Sequence, residues 1–322
     1  VAGPDSSNSP VTLKCLAQVM RRLPRTYTDG MTSQRWHSFA AGMAAVTLPL
    51  LAGCDSGVSA SEPTSGGSGP ITVEVNQSRD QYGKQAIEIQ LTNTTDTPLT
   101  VTSARLHSSL FEGDISWQPS AGSLELPPRQ PKSLPADLPT ASCGRSEGES
   151  LELEATVGYA APGKEPVEEN TSASDPFGVL ARNAGELCIA AEAAAVATIV
   201  LDPRLEVAAD GRTAVVRLII TPATPGTDAQ SLTIEAIDET TLLAQSPTAP
   251  WPGNVLLGTA KQELPLTIRA ARCDPHAVAE DKVGTLLPLR IKVGERQGLL
   301  KIAAPDELRG RIYDFVTTSC AS

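Results

Sequence analysis

Apolar and polar residues alternate along several stretches of this chain. Ala86-Ile87-Glu88-Ile89-Gln90-Leu91 puts its apolar side chains on one face and its polar ones on the other, the period-two pattern of a half-buried strand. Residues 151–157, 213–220 and 286–293 carry comparable patterns. Asn93-Thr94-Thr95-Asp96-Thr97-Pro98 and Ala209-Asp210-Gly211 are rich in turn formers and separate such runs. The period changes near the end. Pro305-Asp306-Glu307 opens a predicted short helix in which Leu308, Ile312, Phe315 and Val316 share one face. Asp175-Pro176-Phe177 opens a weaker counterpart, with Val179 and Leu180 inward.

These elements occur twice. Leu134-Pro135 precedes Cys143 by the spacing at which Leu264-Pro265 precedes Cys273, and Cys188 and Cys320 follow at nearly equal distances. Trp117 has a counterpart in Trp251. A strand pair opens each copy, 71–75 with 86–91 and 198–207 with 213–220. The expected fold is therefore mainly β: two tandem immunoglobulin-like β-sandwich modules, 71–190 and 198–322, each closed by a short helix and one disulfide. Four cysteines allow three pairings, and the repeat favours Cys143–Cys188 with Cys273–Cys320. By chain entropy each such bridge contributes about 3–4 kcal/mol. A four-thiolate zinc site is the alternative, against which stands the absence of any CxxC spacing. The Ala-rich residues 189–197 read as the joint between copies.

Composition fits this picture. Aromatics are 3% of residues, while 26 Pro and 25 Gly supply turns. The formal charge is -11. Residues 1–53 hold five basic and two acidic residues, leaving 21 basic against 35 acidic beyond them, a balance of about -14. Such a surface repels phosphate backbones, which argues against nucleic acid as a partner.

Residues 31–53 follow another plan. Arg35 supplies positive charge, an apolar run too short for a permanent span covers 39–50, and Leu51-Ala52-Gly53-Cys54 follows. This resembles the lipobox of bacterial lipoproteins. The resemblance implies cleavage between Gly53 and Cys54 and a diacylglyceryl group on the Cys54 thiol. Two acyl chains suffice for stable anchoring. It places the protein on the outer face of the cytoplasmic membrane, an oxidising exterior that suits disulfides. Residues 54–70, rich in Ser, Gly and Pro, read as the lipidated cysteine and a flexible tether. Residues 1–30 fit neither part: they are a long n-region or a stretch upstream of a start at Met31, and Cys15 within them has no assigned role.

Chemistry-bearing motifs are sparse. HExxH, the Rossmann glycine pattern and SxxK do not occur. Gly144-Arg145-Ser146-Glu147-Gly148 fits GxSxG in letters, but no apolar strand leads into it, so it reads as a polar turn. Gly158 to Lys164 has P-loop spacing, yet Glu165 stands where a magnesium-binding hydroxyl belongs. One stretch, Cys273 to Gly284, is dense in ionisable groups. If it holds a helical turn, Asp274 caps it and His276 and Glu280 share a face, with Asp281 and Lys282 beside them. Such a patch suits partner binding, or a divalent cation and proton transfer. The plainer reading is a capped surface helix with His276 paired to Glu280. With Thr285-Leu286-Leu287-Pro288-Leu289 this stretch is similar to lipoproteins of high-GC Gram-positive bacteria, over the last third of the chain. That similarity implies a location and no activity.

Trp117 and Trp251 are expected in cores rather than as ligand-stacking rings. The expected function is a non-catalytic binding or interaction module of the cell envelope, needing no cofactor, whose partner is an envelope protein or polymer. The alternatives are a structural or assembly factor for a membrane complex, and a metal-assisted hydrolase centred on Asp274, His276 and Glu280.

Overall fold

The computed structural model describes residues 69–144, 152–223 and 231–321. The expected signal segment, Gly53, Cys54, most of the tether and residues 145–148 of the GxSxG match lie outside them. The described chain is mainly β, with two disulfides, and no described helix is long and apolar enough to cross a membrane.

The first eight strands are β1 (Ile71–Asn76), β2 (Ala86–Asn93), β3 (Leu99–Ser108), β4 (Ile115–Trp117), β5 (Leu124–Leu126), β6 (Pro131–Asp137), β7 (Leu153–Ala160) and β8 (Val167–Ser174). They form one sheet in the order β4-β3-β7-β8-β1-β2-β6, with β5 also on β3. The sheet curls over itself. Val73, Ile89 and Leu134 from one half share a buried cluster with Leu106, Ile115 and Val157 from the other. The seam is a short parallel contact in which Val73 faces Ala173 and Glu74 faces Ser174. The predicted pairing of the opening strands is present, from Ile71 opposite Asn93 to Asn76 opposite Glu88. The predicted turn after β2 is built on Asn93, which is fully buried. Its amide donates to the carbonyls of Thr97 (2.8 Å) and Leu126 (3.1 Å), and its oxygen accepts from the Thr95 backbone at 2.9 Å.

The chain then enters α1 (Val179–Val196). Gly178, at φ 60°, turns it inward, and the Asp175 carboxylate accepts from the backbone N–H of Val179 (2.7 Å) and Leu180 (2.9 Å). Val179 and Leu180 are buried as expected. The helix is not short: at 18 residues it takes in most of the Ala-rich joint. Alanine has the highest helix propensity of any residue, so Ala-rich sequence extends a helix rather than ending it.

The remaining elements are β9 (Ala197–Leu201), β10 (Glu206–Val207), β11 (Ala214–Pro222), β12 (Leu232–Ile237), β13 (Leu243–Gln245), β14 (Val255–Leu256), β15 (Gln262–Ala270), α2 (Pro275–Ala279), β16 (Leu286–Val293), β17 (Arg296–Ala303) and α3 (Asp306–Ala321). They form two sheets, β10-β11-β15-β13 with β9 on β11, and β14-β12-β16-β17. The single strand expected over 198–207 is two strands. Pro203 cannot donate to a ladder, and Asp202 turns the chain by accepting from the Arg204 backbone at 2.9 Å. α3 buries Leu308, Ile312, Phe315 and Val316, the predicted face, but runs 16 residues rather than a short turn or two. Trp251 is buried, its indole donating to the Thr267 carbonyl at 2.9 Å, whereas Trp117 is half-buried against the first core.

The pairing order recurs. β1–β2, β2–β6, β3–β7, β7–β8 and β3–β5 reappear as β9–β11, β11–β15, β12–β16, β16–β17 and β12–β14. Each disulfide spans a corresponding place, with Cα atoms 5.3 Å apart. Cys143, after β6, binds Cys188 of α1; Cys273, after β15, binds Cys320 of α3. The two sets of strands differ at an edge, where β13 pairs β15 but β4 pairs β3, and at a seam. β1 and β8 pair directly, while among the described residues β9 and β17 form no ladder and α1 packs against both.

α1 belongs to both cores. Val179, Leu180, Ala184 and Cys188 lie in the first cluster, and Ile189 and Ala193 in the second. Ile189 sits over Gly298 of β17, where an added Cβ would lie 3.1 Å from the Ile189 side chain. We expect Ile189→Ala to destabilise the protein by about 2–5 kcal/mol, the usual cost of emptying a close-packed aliphatic site. Urea unfolding followed by Trp fluorescence checks this. A cost under about 0.5 kcal/mol, the range of surface substitutions, would mean that the helix only rests on the second core.

Candidate functional site

The ionisable stretch after β15 forms a small surface unit. Asp274 caps α2 by accepting from the His276 backbone at 2.9 Å, as its position predicts. The helix is one turn long: Glu280 lies just past its end, its N–H still bonded to the His276 carbonyl at 2.9 Å. Asp274, His276, Glu280 and Lys282 are exposed. The expected His276–Glu280 ion pair is not among those of the described residues. Nor, among the described residues, do three His, Cys, Asp or Glu side chains gather where they could hold a metal ion.

Asp281 is different, being half-buried. One carboxylate oxygen accepts from the Thr241 hydroxyl at 2.5 Å. The other accepts from the Gly284 backbone at 2.8 Å and from the Tyr313 phenol at 3.0 Å. Three separate segments meet on this side chain: the β12–β13 loop, the loop before β16, and α3. Gly284 has no room for a side chain, since an added Cβ would fall 2.8 Å from both Asp281 Oδ2 and Leu242 Cβ. Burial, then the hydrogen bond that the phenol donates to Asp281 and the charge of that carboxylate, push the Tyr313 phenol up to about 12. Asp281 therefore anchors the fold at this end of the molecule, while Asp274, His276, Glu280 and Lys282 stay exposed.

A second feature has no signature in the sequence, because its residues come from distant segments. A recess of about 570 Å³, open solvent included, lies where α1 crosses from one core to the other. Tyr82, Leu187, Leu286, Leu299 and Lys301 line it. Lys301 pairs with Glu186 of α1 at 2.7 Å, both about one-fifth exposed, and its ammonium also stands 5.3 Å from the Tyr82 ring centroid. The Arg182 guanidinium is 5.6 Å from the same ring.

No protein-family model matches the chain, and no curated protein matches it. Solved structures resemble it loosely. Red sea bream transglutaminase aligns at 10% identity and TM-score 0.22 over 73% of this chain, which spans 31% of that enzyme's length. The E. coli chaperone DraB aligns at 11% identity and TM-score 0.20, covering 73% of this chain and 95% of that one. An exo-chitosanase of Amycolatopsis orientalis aligns at 14% identity and TM-score 0.20, covering 73% and 26%.

Two outcomes test this assignment of roles. Asp281→Ala should cost about 1–3 kcal/mol by stranding its three donors, whereas His276→Ala should stay within about 0.5 kcal/mol; chemical denaturation separates them. The Tyr313 midpoint of about 12 lies above the ordinary 10.0. Its contribution to stability is therefore complete below pH 10.0 and lost as pH rises through about 12. In a phenolate absorbance titration, Tyr313→Phe should remove one late-ionising group, and Asp281→Ala should move that group to lower pH.

Proposed function

We propose that the chain is an extracytoplasmic lipoprotein, held to the outer face of the cytoplasmic membrane by a diacylglyceryl group on Cys54, that presents a non-catalytic binding surface to an envelope protein or polymer. The observation that carries this reading is the pair of formed disulfides, each stapling a helix to the turn after a corresponding strand. Disulfides used as structural staples belong to oxidising compartments, and the Leu51-Ala52-Gly53-Cys54 motif resembles an address to such a place. The similarity of residues 273–289 to lipoproteins of high-GC Gram-positive bacteria is part of the same proposal.

We read the two sets of strands as tandem immunoglobulin-like sandwiches. In the second set β9/β10-β11-β15-β13 corresponds to an A-B-E-D sheet and β12-β16-β17 to C-F-G. In the first set β1-β2-β6 corresponds to A-B-E and β3-β7-β8 to C-F-G, with β4 on β3 rather than on β6 and with β1 and β8 closing the seam. The exposed patch of Asp274, His276, Glu280 and Lys282 is the surface proposed for the partner. It stands beside the Cys273–Cys320 bridge, which holds its loop in place. The role of structural or assembly factor is favoured as a second reading by α1, whose passage between the cores would make the exported part a stiff spacer.

The anchor is tested by fractionation and mass spectrometry. Wild type should sediment with membranes and carry the lipid mass on an N-terminal Cys54. Cys54→Ser should be released in soluble form. Equal membrane retention of both proteins would contradict the proposal.

A further inference from the structure

Arg296 opens β17, on the second set of strands, yet its guanidinium faces the first. Its Nε donates to Glu192 of α1 at 2.7 Å and its Nη2 donates to the backbone carbonyl of Cys143 at 3.0 Å. Glu192 lies one helical turn beyond Cys188, the disulfide partner of Cys143. Both acceptors of the guanidinium fork are thus attached to the two ends of one S–S bond. Fixing that bond fixes the gap into which Arg296 fits. The adjoining contacts, Ile189 over Gly298 and Glu186 with Lys301, lie on the same helix and strand. Cys273–Cys320 ties α3 to the loop after β15.

We propose that the Cys143–Cys188 disulfide is a redox-sensitive clamp on the joint between the two cores, acting through Arg296. A dithiol reductant opens it by attack at the half-buried Cys143 sulfur, since Cys188 is only 4% exposed. The S–S bond breaks, the two cysteine sulfurs take up two electrons and two protons, and the reductant closes to its own disulfide. With the bond open, the Cys143 carbonyl is no longer held against α1, and Arg296 loses one of its two anchors. The second disulfide, whose Cys273 is exposed, opens more readily and leaves the joint unchanged.

Hydrogen exchange on the full chain tests this. We compare wild type with Cys143→Ser/Cys188→Ser, Cys273→Ser/Cys320→Ser and Arg296→Ala. Loss of the first disulfide should speed amide exchange in residues 189–196 and in β17 by on the order of tenfold more than in β2 and β6. Arg296→Ala should do the same with its disulfide intact, and loss of the second disulfide should change these segments no more than it changes β2 and β6. The proposal is overturned if residues 189–196 and β17 are unaffected by loss of the first disulfide. It is equally overturned if Arg296→Ala has no effect, or if the first disulfide protects β2 and β6 as much as the joint, for then the bond is a staple of the first core alone.

Discussion

One helix serves two cores, and most of the architecture answers to that. α1 spends its first half closing the curled first sheet through Val179, Leu180, Ala184 and Cys188, and its second half in the second core through Ile189 and Ala193. Burial of an aliphatic side chain the size of Ile189 is worth roughly 1.5–3 kcal/mol, and this one is buried only if the second set of strands is in place. The helix therefore transmits the folded state of one core to the other. It also explains the seam at which the copies differ. β1 and β8 pair and close the first sheet on itself; among the described residues β9 and β17 form no ladder with each other, and α1 packs against both.

Polar contacts refine this packing. The ion pairs Glu186–Lys301 and Glu192–Arg296 lie along the line where α1 meets β17. Arg296 and Glu192 are 41% and 29% exposed, so the ion pair alone adds little free energy, and the hold of Arg296 on the joint depends on its second bond, to the Cys143 carbonyl. The use of the pair is directional, since a guanidinium fork aligns the helix with the strand. At the far end, Asp281 gathers three segments on one carboxylate. Removing it would strand buried donors, which costs more than the net worth of the bonds it makes.

Much of this was legible in the residues. Nearly equal cysteine spacing in the two stretches favours Cys143–Cys188 and Cys273–Cys320, the pairing present, because similar spacing closes similar loops. The face of α3 follows from the spacing of Leu308, Ile312, Phe315 and Val316. The break between β9 and β10 was legible too, in Pro203, but an apolar run masks it. The extent of α1 is harder to read. Residues 189–197 are nearly all small, so their amphipathic period is faint, and only Ile189 and Ala193 at a four-residue spacing mark the buried side. Within the candidate patch, the cap by Asp274 is a local signal and was visible. The separation of half-buried Asp281 from exposed His276 and Glu280 depends on Thr241 and Tyr313, which no local pattern connects to it.

The central claim is that the two cores stand or fall together because they share α1. Differential scanning calorimetry of the oxidised chain tests it most directly. Our account predicts a single transition whose calorimetric enthalpy equals its van't Hoff enthalpy. Two resolved transitions, with the second set of strands melting while the first remains folded, would contradict it.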